Sequence, residues 1–380
     1  MCFNHSWLQG IKTSTNIQPS FLFEIALSLI DGIGPVKAKS LIKHCGSAQA
    51  VFTERKSILR KVPEIGLHAI KALANTSVFE RAEKELKFIE ENNIQVHYYE
   101  NDNFPRRLLH CPDHPIILYS RGQINANPPK VLSIVGTRRA TPYGKDITQK
   151  IVAGLKDLDV LICSGLAFGI DAEAHQASIK NKLQTIGTVA HGLNIIYPRE
   201  HYGLAKQMEE NGGILSEFIS GTIANKENFP KRNRIVAGMS DATLVVESKR
   251  RGGALITAYQ ASGYNRDVFA IPGKVTDVHS EGCNLIIQRN VATMIQSAED
   301  IINAMGWEAE GKDSTPQMEL FIDLSENESL IRNLVSEHQS IRRDELSALV
   351  KLSSGDVAST LLSLELKGVL KSLPGGVYTI

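Results

Sequence analysis

The stretch VLSIVGTRR, residues 131–139, decides the fold class. A short apolar run ends at Gly136, and Pro142 then opens a segment compatible with a helix, because proline suits the first helical position. The same order recurs at residues 160–171, where an apolar run reaches Gly165 before the next helical segment. A near-continuous apolar strand, a glycine turn and a helix are typical of a parallel sheet that is covered on both faces.

The repeat of strand, turn and helix continues to about residue 304. Working outward from the first stretch, the pattern predicts strands at Val131–Val135, Val160–Cys163, Thr185–Ala190, Gly213–Ser216, Ala242–Val246 and Asp267–Ile271. The helices between them are predicted at Tyr143–Asp157, Ile170–Asn181, Arg199–Asn211, Asn233–Met239 and Ala254–Tyr264. We therefore expect an α/β domain over residues 130–306 with a doubly wound sheet and right-handed crossovers. Its ligands should bind beyond the carboxyl ends of the strands.

The flanking regions have other patterns. We predict a polar tail at residues 1–19, a helical domain at 20–75, a bridging segment at 76–129, a polar linker at 307–323 and a small domain at 324–380. The bridging segment contains a charged helix at Val78–Asn92 and a strand at Gln95–Tyr99. The last domain reads as three helices and a hairpin, which is the order of a winged helix.

Composition limits the class of protein. The chain has 380 residues, 42% hydrophobic and 22% charged, with a net charge of +1, so any anion site must be a local patch. Its five cysteines are far apart and form no CxxC, which predicts a reduced cytoplasmic protein without disulfides or a zinc knuckle. No run has transmembrane length and no signal peptide is recognisable, so we expect no membrane contact.

Two basic clusters follow predicted strands. Phe229–Arg234 reads FPKRNR, and Lys249–Arg251 leads into a pair of glycines. We interpret Asn233 as a helix N-cap, and Phe229 as a ring held in an extended approach by the proline after it. The alternative is a solvated helix entry.

Glycine loops close the first two strands, and neither has the GxGxxG or P-loop pattern. Each alone makes a tight turn, but two loops beside two basic clusters favour a phosphate site.

Catalytic interpretations are weaker. Asp171 and His175 share a helix face with Ser164 nearby, but the serine lacks a nucleophile elbow. Glu217 and Glu247 stand at strand ends, as in a nucleoside hydrolase, without an assignable acid and base.

These motifs resemble the bacterial DNA-processing protein family, DprA, also called Smf. The resemblance rests on Val135–Arg138, Ser164–Asp171 with His175, Tyr197-Pro198, Ser216-Glu217, Phe229–Ile235, Gly253–Ala258, Pro272-Gly273 and Gly282–Asn284. It implies an extended Rossmann-like domain, a helical SAM-like or helix–hairpin–helix N-terminal domain and a C-terminal winged helix. It also implies a homodimer that binds and protects single-stranded DNA in natural transformation and helps load the RecA recombinase, without a catalytic residue, metal or cofactor.

The DNA site that this resemblance implies comprises Gly136, Thr137, Arg138, Ser164, Gly165, Phe168, Gly169, Lys231, Arg232, Asn233 and Arg234, with Lys249 and Arg251 beside it. Three positions depart from the family's pattern. Thr137 replaces a common serine, Arg251 adds a cation, and Phe168 stands where many members have arginine, which exchanges charge for possible base stacking.

Three further regions leave alternatives open. Gly32 and Gly34 permit a hairpin that either contacts a DNA phosphate or is purely structural. The last long helix, Ser354 to Lys367, has too few cations for a major groove, which favours a protein-contact role. The apolar runs Leu285–Ile287 and Val291–Ile295 are either a dimer face or a buried edge strand. The alternative function is a nucleotide-processing enzyme like the phosphoribohydrolases, although their PGGxGTxxE signature is absent.

Overall fold

The computed structural model describes residues 21–307 and 324–379, apart from 339–340, 351, 368 and 374–376. The chain divides into two compact units: the first runs to Ala309, and the second begins at Glu310. The predicted tail and most of the predicted linker lie outside the described residues. No helix in the described ranges has the length and apolar character needed to cross a membrane.

The first unit begins with short helices in the predicted helical region, followed by the charged helix predicted for the bridging segment. They are α1 (Leu22–Ser28), α2 (Pro35–Cys45), α3 (Ala48–Thr53), α4 (Lys56–Leu59), α5 (Leu67–Ala72) and α6 (Ser77–Glu91). The turn between α1 and α2 contains Gly32 at φ +75°, a left-handed conformation that favours glycine, and Gly34 is the N-cap of α2. Ile25 and Leu41 are fully buried in one core with Tyr119 of the sheet.

A nine-stranded sheet forms the body of this unit. Its strands are β1 (Gln95–Tyr98), β2 (Ile117–Gly122), β3 (Lys130–Val135), β4 (Val160–Ser164), β5 (Thr185–Val189), β6 (Gly212–Ser216), β7 (Ala242–Val245), β8 (Asp267–Ala270) and β9 (Thr293–Met294). The helices are α7 (Arg106–Leu109), α8 (Pro142–Gly154), α9 (Ile170–Lys180), α10 (Tyr202–Met208), α11 (Asn228–Gly238), α12 (Gly253–Gly263), α13 (Glu281–Gln288) and α14 (Ala298–Met305).

The strand order is β1-β2-β6-β5-β4-β3-β7-β8-β9. All pairs from β6 to β9 are parallel, whereas β1–β2 and β2–β6 are antiparallel. All six predicted strands and the Rossmann-like doubly wound class are confirmed. The sequence interpretation missed β2, because prolines at 112 and 115 made its apolar run resemble a loop.

The centre of the sheet is a topological switch point. β3 pairs with β4 on one side and with β7 on the other, so successive connections leave it in opposite directions. Alternate residues of β3 enter different cores: Val131 packs in one and Leu132 in the other. Ligands of doubly wound sheets bind at this kind of point.

The start of α11 differs from the prediction. The helix begins at Asn228 with Glu227 as its N-cap, so Asn233 lies inside it and is not a cap. Phe229 and Pro230 belong to the first turn instead of an extended approach. Proline is tolerated there because the first N–H groups of a helix have no partner within the helix.

The second unit is the predicted winged helix. It contains α15 (Glu326–His338), β10 (Ile341–Arg342), α16 (Arg343–Leu349), α17 (Ser354–Leu366), β11 (Lys371–Leu373) and β12 (Val377–Thr379), and its sheet order is β10-β12-β11. Lys367 follows α17 directly and pairs with Glu328 of α15 at 2.7 Å. Because Lys367 forms this ion pair within the unit, α17 offers DNA even fewer free cations than its sequence contains.

Asp241 joins the bridging segment to the sheet. Its carboxylate accepts two hydrogen bonds from Arg107 of α7, at 2.6 and 2.8 Å, and one from the backbone N–H of Val131. We expect Asp241→Ala to lower the free energy of unfolding by about 2 kcal/mol, since it leaves a half-buried guanidinium and an amide without this acceptor. Urea denaturation measures the change. The exposed Asp157→Ala serves as control, and equal stability of the two variants would contradict this role.

Candidate nucleic-acid interface

An open cleft of about 430 Å³ lies at the switch point, beyond the carboxyl ends of β3, β4 and β7. Loops after these strands and the first turns of α11 and α12 form its walls. Among the predicted site residues, the cleft brings together Gly136, Thr137, Arg138, Gly165, Arg232, Asn233, Lys249 and Arg251. It does not include Ser164, Phe168, Gly169, Lys231 or Arg234.

The two glycine loops hold each other in place. Gly169 has φ +80°, and a Cβ there would lie 2.2 Å from the carbonyl oxygen of Thr137. The Ile170 N–H donates to that same carbonyl at 3.2 Å. Only glycine permits this approach, and the contact fixes the backbone that carries Arg138.

Glu247 anchors the loop after β3. Its carboxylate accepts from the Thr141 N–H at 3.0 Å and from the Thr141 hydroxyl at 2.5 Å, and its carbonyl accepts from the Thr137 N–H at 2.8 Å. Thr141 is in turn the N-cap of α8. The carboxylate that suggested a hydrolase therefore has a structural role in orienting the cleft wall.

Arg232 forms the floor of the cleft and is only 6% exposed. Its Nη1 donates to the carbonyl of Thr188 at 2.6 Å, and its Nε donates to Asn233 at 3.1 Å. Asp171 is its buried counter-charge: burial raises the pKa of this carboxyl, and the guanidinium opposes that shift. Two of the five N–H donors of Arg232 are therefore used by the protein, and phosphate binding by Arg232 stays a prediction.

Arg234 lies on the other side of α11 and, unlike the prediction that groups it with the other site residues, does not line the cleft. Its guanidinium, in a residue only 8% exposed, is bonded to the Glu217 carboxylate and the Asp113 carbonyl. Burial raises the pKa of Glu217 and the arginine counteracts this. Lys231 is exposed on the same side, three residues earlier, and does not line the cleft either.

The free charge of the cleft comes from its loops. Arg138, Lys249 and Arg251 are exposed, and within the described chain no side-chain hydrogen bond or ion pair engages them. Lys226, just before α11, is a fourth exposed cation of the wall. Lys226 stands apart from both basic clusters in the sequence, so no motif pointed to it. Unpaired cations in a cleft are suited to anionic oxygens.

Aromatic rings lie beside this charge. Arg138 stacks over Phe229 at 5.1 Å from the ring centre, and Tyr197 lies 6.4 Å from the same ring. Phe168 is 44% exposed and contacts His201 edge to face at 4.9 Å. We call Phe168, Tyr197, His201 and Phe229 the aromatic shelf. The shelf gives the cleft a surface on which planar rings can stack.

The proposed nucleophile group is buried and structural. Ser164 donates to the carbonyl of Ile134 at 2.5 Å. His175 bonds the Gly165 carbonyl and the Thr185 hydroxyl, both at 2.6 Å, and burial lowers its pKa to about 4. His175 is therefore neutral at physiological pH and supports the loop from below. In the described ranges no three His, Cys, Asp or Glu side chains gather as a metal site.

Comparison with known proteins identifies the family. The family model for DNA recombination-mediator protein A matches residues 95–306, and the model for the DprA winged helix domain matches residues 322–376. Protein Smf of Synechocystis sp. is 32% identical over 93% of this chain and 97% of its own length. The chain belongs to the DprA/Smf family.

Other DprA proteins agree with this assignment. The Bacillus subtilis DNA processing protein DprA is 39% identical over 57% of this chain and 72% of its own. The X-ray structure of DprA from Streptococcus pneumoniae superimposes with a TM-score of 0.62 at 28% identity, covering 74% of this chain and 97% of that one. DprA from Helicobacter pylori, whose structure concerns its single-stranded DNA binding mode, has a TM-score of 0.51 at 29% identity, covering 56% and 95%.

Gly165 is required by the buried charge pair. A Cβ there would lie 2.0 Å from Nη1 of Arg232 and 2.3 Å from Oδ2 of Asp171. We expect Gly165→Ala to destabilise the protein by about 1–3 kcal/mol through overpacking, measured by denaturant unfolding. Gly253→Ala is the matched control, because a Cβ at Gly253 meets no atom within 4 Å. Equal stability of both variants would show that the guanidinium does not need this space.

Proposed function

We propose that this protein is a single-stranded DNA-binding recombination mediator whose strand lies in the switch-point cleft. The observation that carries the proposal is the combination of exposed, unpaired cations in the cleft with the adjacent aromatic shelf. The cations are suited to the phosphates of a strand, and the aromatic shelf is suited to its unstacked bases. The Helicobacter pylori relative, described for its single-stranded DNA binding mode, supports the same ligand class.

In this proposal the cations of the cleft contact the DNA backbone, and the aromatic rings contact the bases. Arg138, Lys249 and Arg251 hold phosphates, with Lys226 as a further contact. Phe229 and Phe168 offer ring faces, each worth about 1–3 kcal/mol when a base stacks on it. Arg232 shapes the floor with two of its five N–H donors bonded to protein and adds its positive charge to the cleft.

A polymer fits this arrangement better than a substrate that is cleaved. Each of the two carboxylates at strand ends has a structural partner: Oε1 of Glu217 bonds Arg234, and Glu247 holds Thr141. A nucleotide hydrolase needs an acid and a base that are free to exchange protons. We therefore propose a non-catalytic role and do not favour a phosphoribohydrolase.

The family assignment supports further roles that we propose with it. The protein protects incoming DNA in the cytoplasm during natural transformation and helps load RecA onto it, acting as a homodimer. β9 is one of the two edge strands of the sheet, which makes the run 291–295 that contains it our candidate dimer face. RecA loading is tested by RecA-dependent strand exchange on DNA precovered with single-strand binding protein, and the dimer by sedimentation equilibrium.

Removing the three exposed cations tests the cleft. We expect the combined Arg138→Ala, Lys249→Ala and Arg251→Ala variant to bind a fluorescent oligothymidine at least tenfold more weakly. The slope of log affinity against log salt should become shallower by about 2, because each single-strand phosphate contact contributes about 0.7. Fluorescence anisotropy at several salt concentrations measures both quantities.

Lys84→Ala is the control, since Lys84 is an exposed lysine on α6, away from the cleft. It should bind as the unmodified protein does. An unchanged affinity and salt slope in the folded triple variant would refute the site. If the triple variant lost affinity for the oligothymidine but kept its affinity for duplex DNA, the duplex would bind to another surface of the protein.

A further inference from the structure

The loop after β8 lies at the same edge of the sheet as the cleft. β8 pairs with β7 in parallel, and the Ile271 N–H donates to the Val245 carbonyl at 3.0 Å. The chain therefore leaves both strands at the edge beyond which ligands of such sheets bind. We call residues 272–280 the β8 loop. None of its residues lines the cleft.

Two sequence motifs that the cleft does not explain, Pro272-Gly273 and Gly282–Asn284, hold the ends of the β8 loop. The Asn284 side chain donates to the Gly273 carbonyl at 3.0 Å and accepts from the Gly273 N–H at 3.2 Å. A Cβ at Gly273 would lie 1.9 Å from Oγ of Ser280, so the two ends of the loop pack directly against each other. The loop therefore has a fixed base.

The β8 loop is also joined to the loop that carries Lys249 and Arg251. The Ser248 N–H donates to the His279 carbonyl, and the Gly282 N–H donates to the Ser248 carbonyl, both at 2.7 Å. A Cβ at Gly282 would lie 2.5 Å from the carbonyl oxygen of Lys249. These contacts make the β8 loop a direct continuation of the cleft wall.

Two further cations stand on this continuation. Arg250 and Lys274 are exposed, neither lines the cleft, and across the described ranges no side-chain hydrogen bond or ion pair engages them. Asp277 is the acidic residue of the β8 loop, and its carboxylate is used within the loop. It accepts from the His279 N–H at 2.9 Å and from the Ser280 hydroxyl at 3.3 Å. The positive charge of the cleft therefore extends onto the β8 loop.

The exposed groups follow the order of the strands. β5, β4, β3, β7 and β8 are consecutive in the sheet. The loops after them carry, in that order, Tyr197, Phe168, Arg138, Arg251 and Lys274, all exposed. Neighbouring strands are about 4.8 Å apart, so this row spans about 19 Å. Rings stand at its β5 end, and cations stand at its β8 end.

We infer that the single strand proposed for the cleft continues over the β8 loop, where Arg250 and Lys274 bind its phosphates. The inference rests on the proposed function and extends it, because the interface then crosses the sheet edge from the aromatic shelf to β8. Cations without a ring beside them contact the DNA backbone and carry no sequence information. This end of the interface therefore selects strands by length and not by base.

The test removes both outer cations in the full-length protein. We expect the combined Arg250→Ala and Lys274→Ala variant to bind an oligothymidine of about 16 nucleotides at least fivefold more weakly. Its salt slope should be shallower by about 1.4, because two single-strand phosphate contacts are lost. In a length series, its affinity should stop rising at a shorter oligomer than that of the unmodified protein. Fluorescence anisotropy measures all three quantities.

Two control variants separate contact from overall charge. Arg250→Lys with Lys274→Arg keeps both cations and should keep the affinity, the slope and the length dependence. Lys84→Ala with Lys156→Ala removes the same charge from exposed positions on α6 and before β4, away from the cleft edge. It should bind as the unmodified protein does. All four positions are exposed, so every variant should fold normally.

The outcomes distinguish this inference from the proposed function. If the outer double variant binds every length as the unmodified protein does, while the cleft triple variant is weakened, the inference is overturned and the cleft stands. If the double variant is weaker but its affinity stops rising at the same length as before, the strand does not reach the β8 loop, and the inference is also overturned. An unaffected triple variant contradicts the proposed function itself.

Discussion

The buried opposite charges of Arg232 and Asp171, which meet at Gly165, are the constraint on which the proposed interface depends. The guanidinium occupies the space left by the missing side chain of Gly165 and bonds the carbonyl of Thr188, so it joins α11 to β5 and to the loop after β4. Asp171 receives the Ala167 N–H and holds that loop in shape. Because a buried charge is stable only with its partner, neither residue can change alone without cost.

This arrangement separates the cations that build the cleft from those that remain available to a ligand. Arg232 and Arg234 are the most buried cations of the basic passage, and both are used by the protein itself. Of the exposed cations, Arg138 stands on a loop that the Gly169 contact and the hydrogen bonds of Glu247 hold in place. Preorganised charge of this kind loses little entropy when a strand binds.

The sequence predicted the sheet well because each parallel strand is an apolar run that is buried on both faces. It also predicted that the two glycine loops and the Lys249–Arg251 cluster meet, since strand ends of one sheet share an edge. It failed at α11 because Pro230 resembles a helix boundary, although a first turn accepts proline. The residue at which α11 begins sets the side of the helix on which each side chain lies. The burial of Arg234 therefore could not be predicted from composition or spacing.

Hydrogen–deuterium exchange with and without a saturating oligothymidine shows where the strand binds. We expect slower exchange in the loops at residues 136–141, 165–169 and 248–253 and at the start of α11, where the strand covers or orders backbone amides. Protection confined to the α1–α2 hairpin or to α17, with those loops unchanged, would contradict it and place the DNA on another part of the protein.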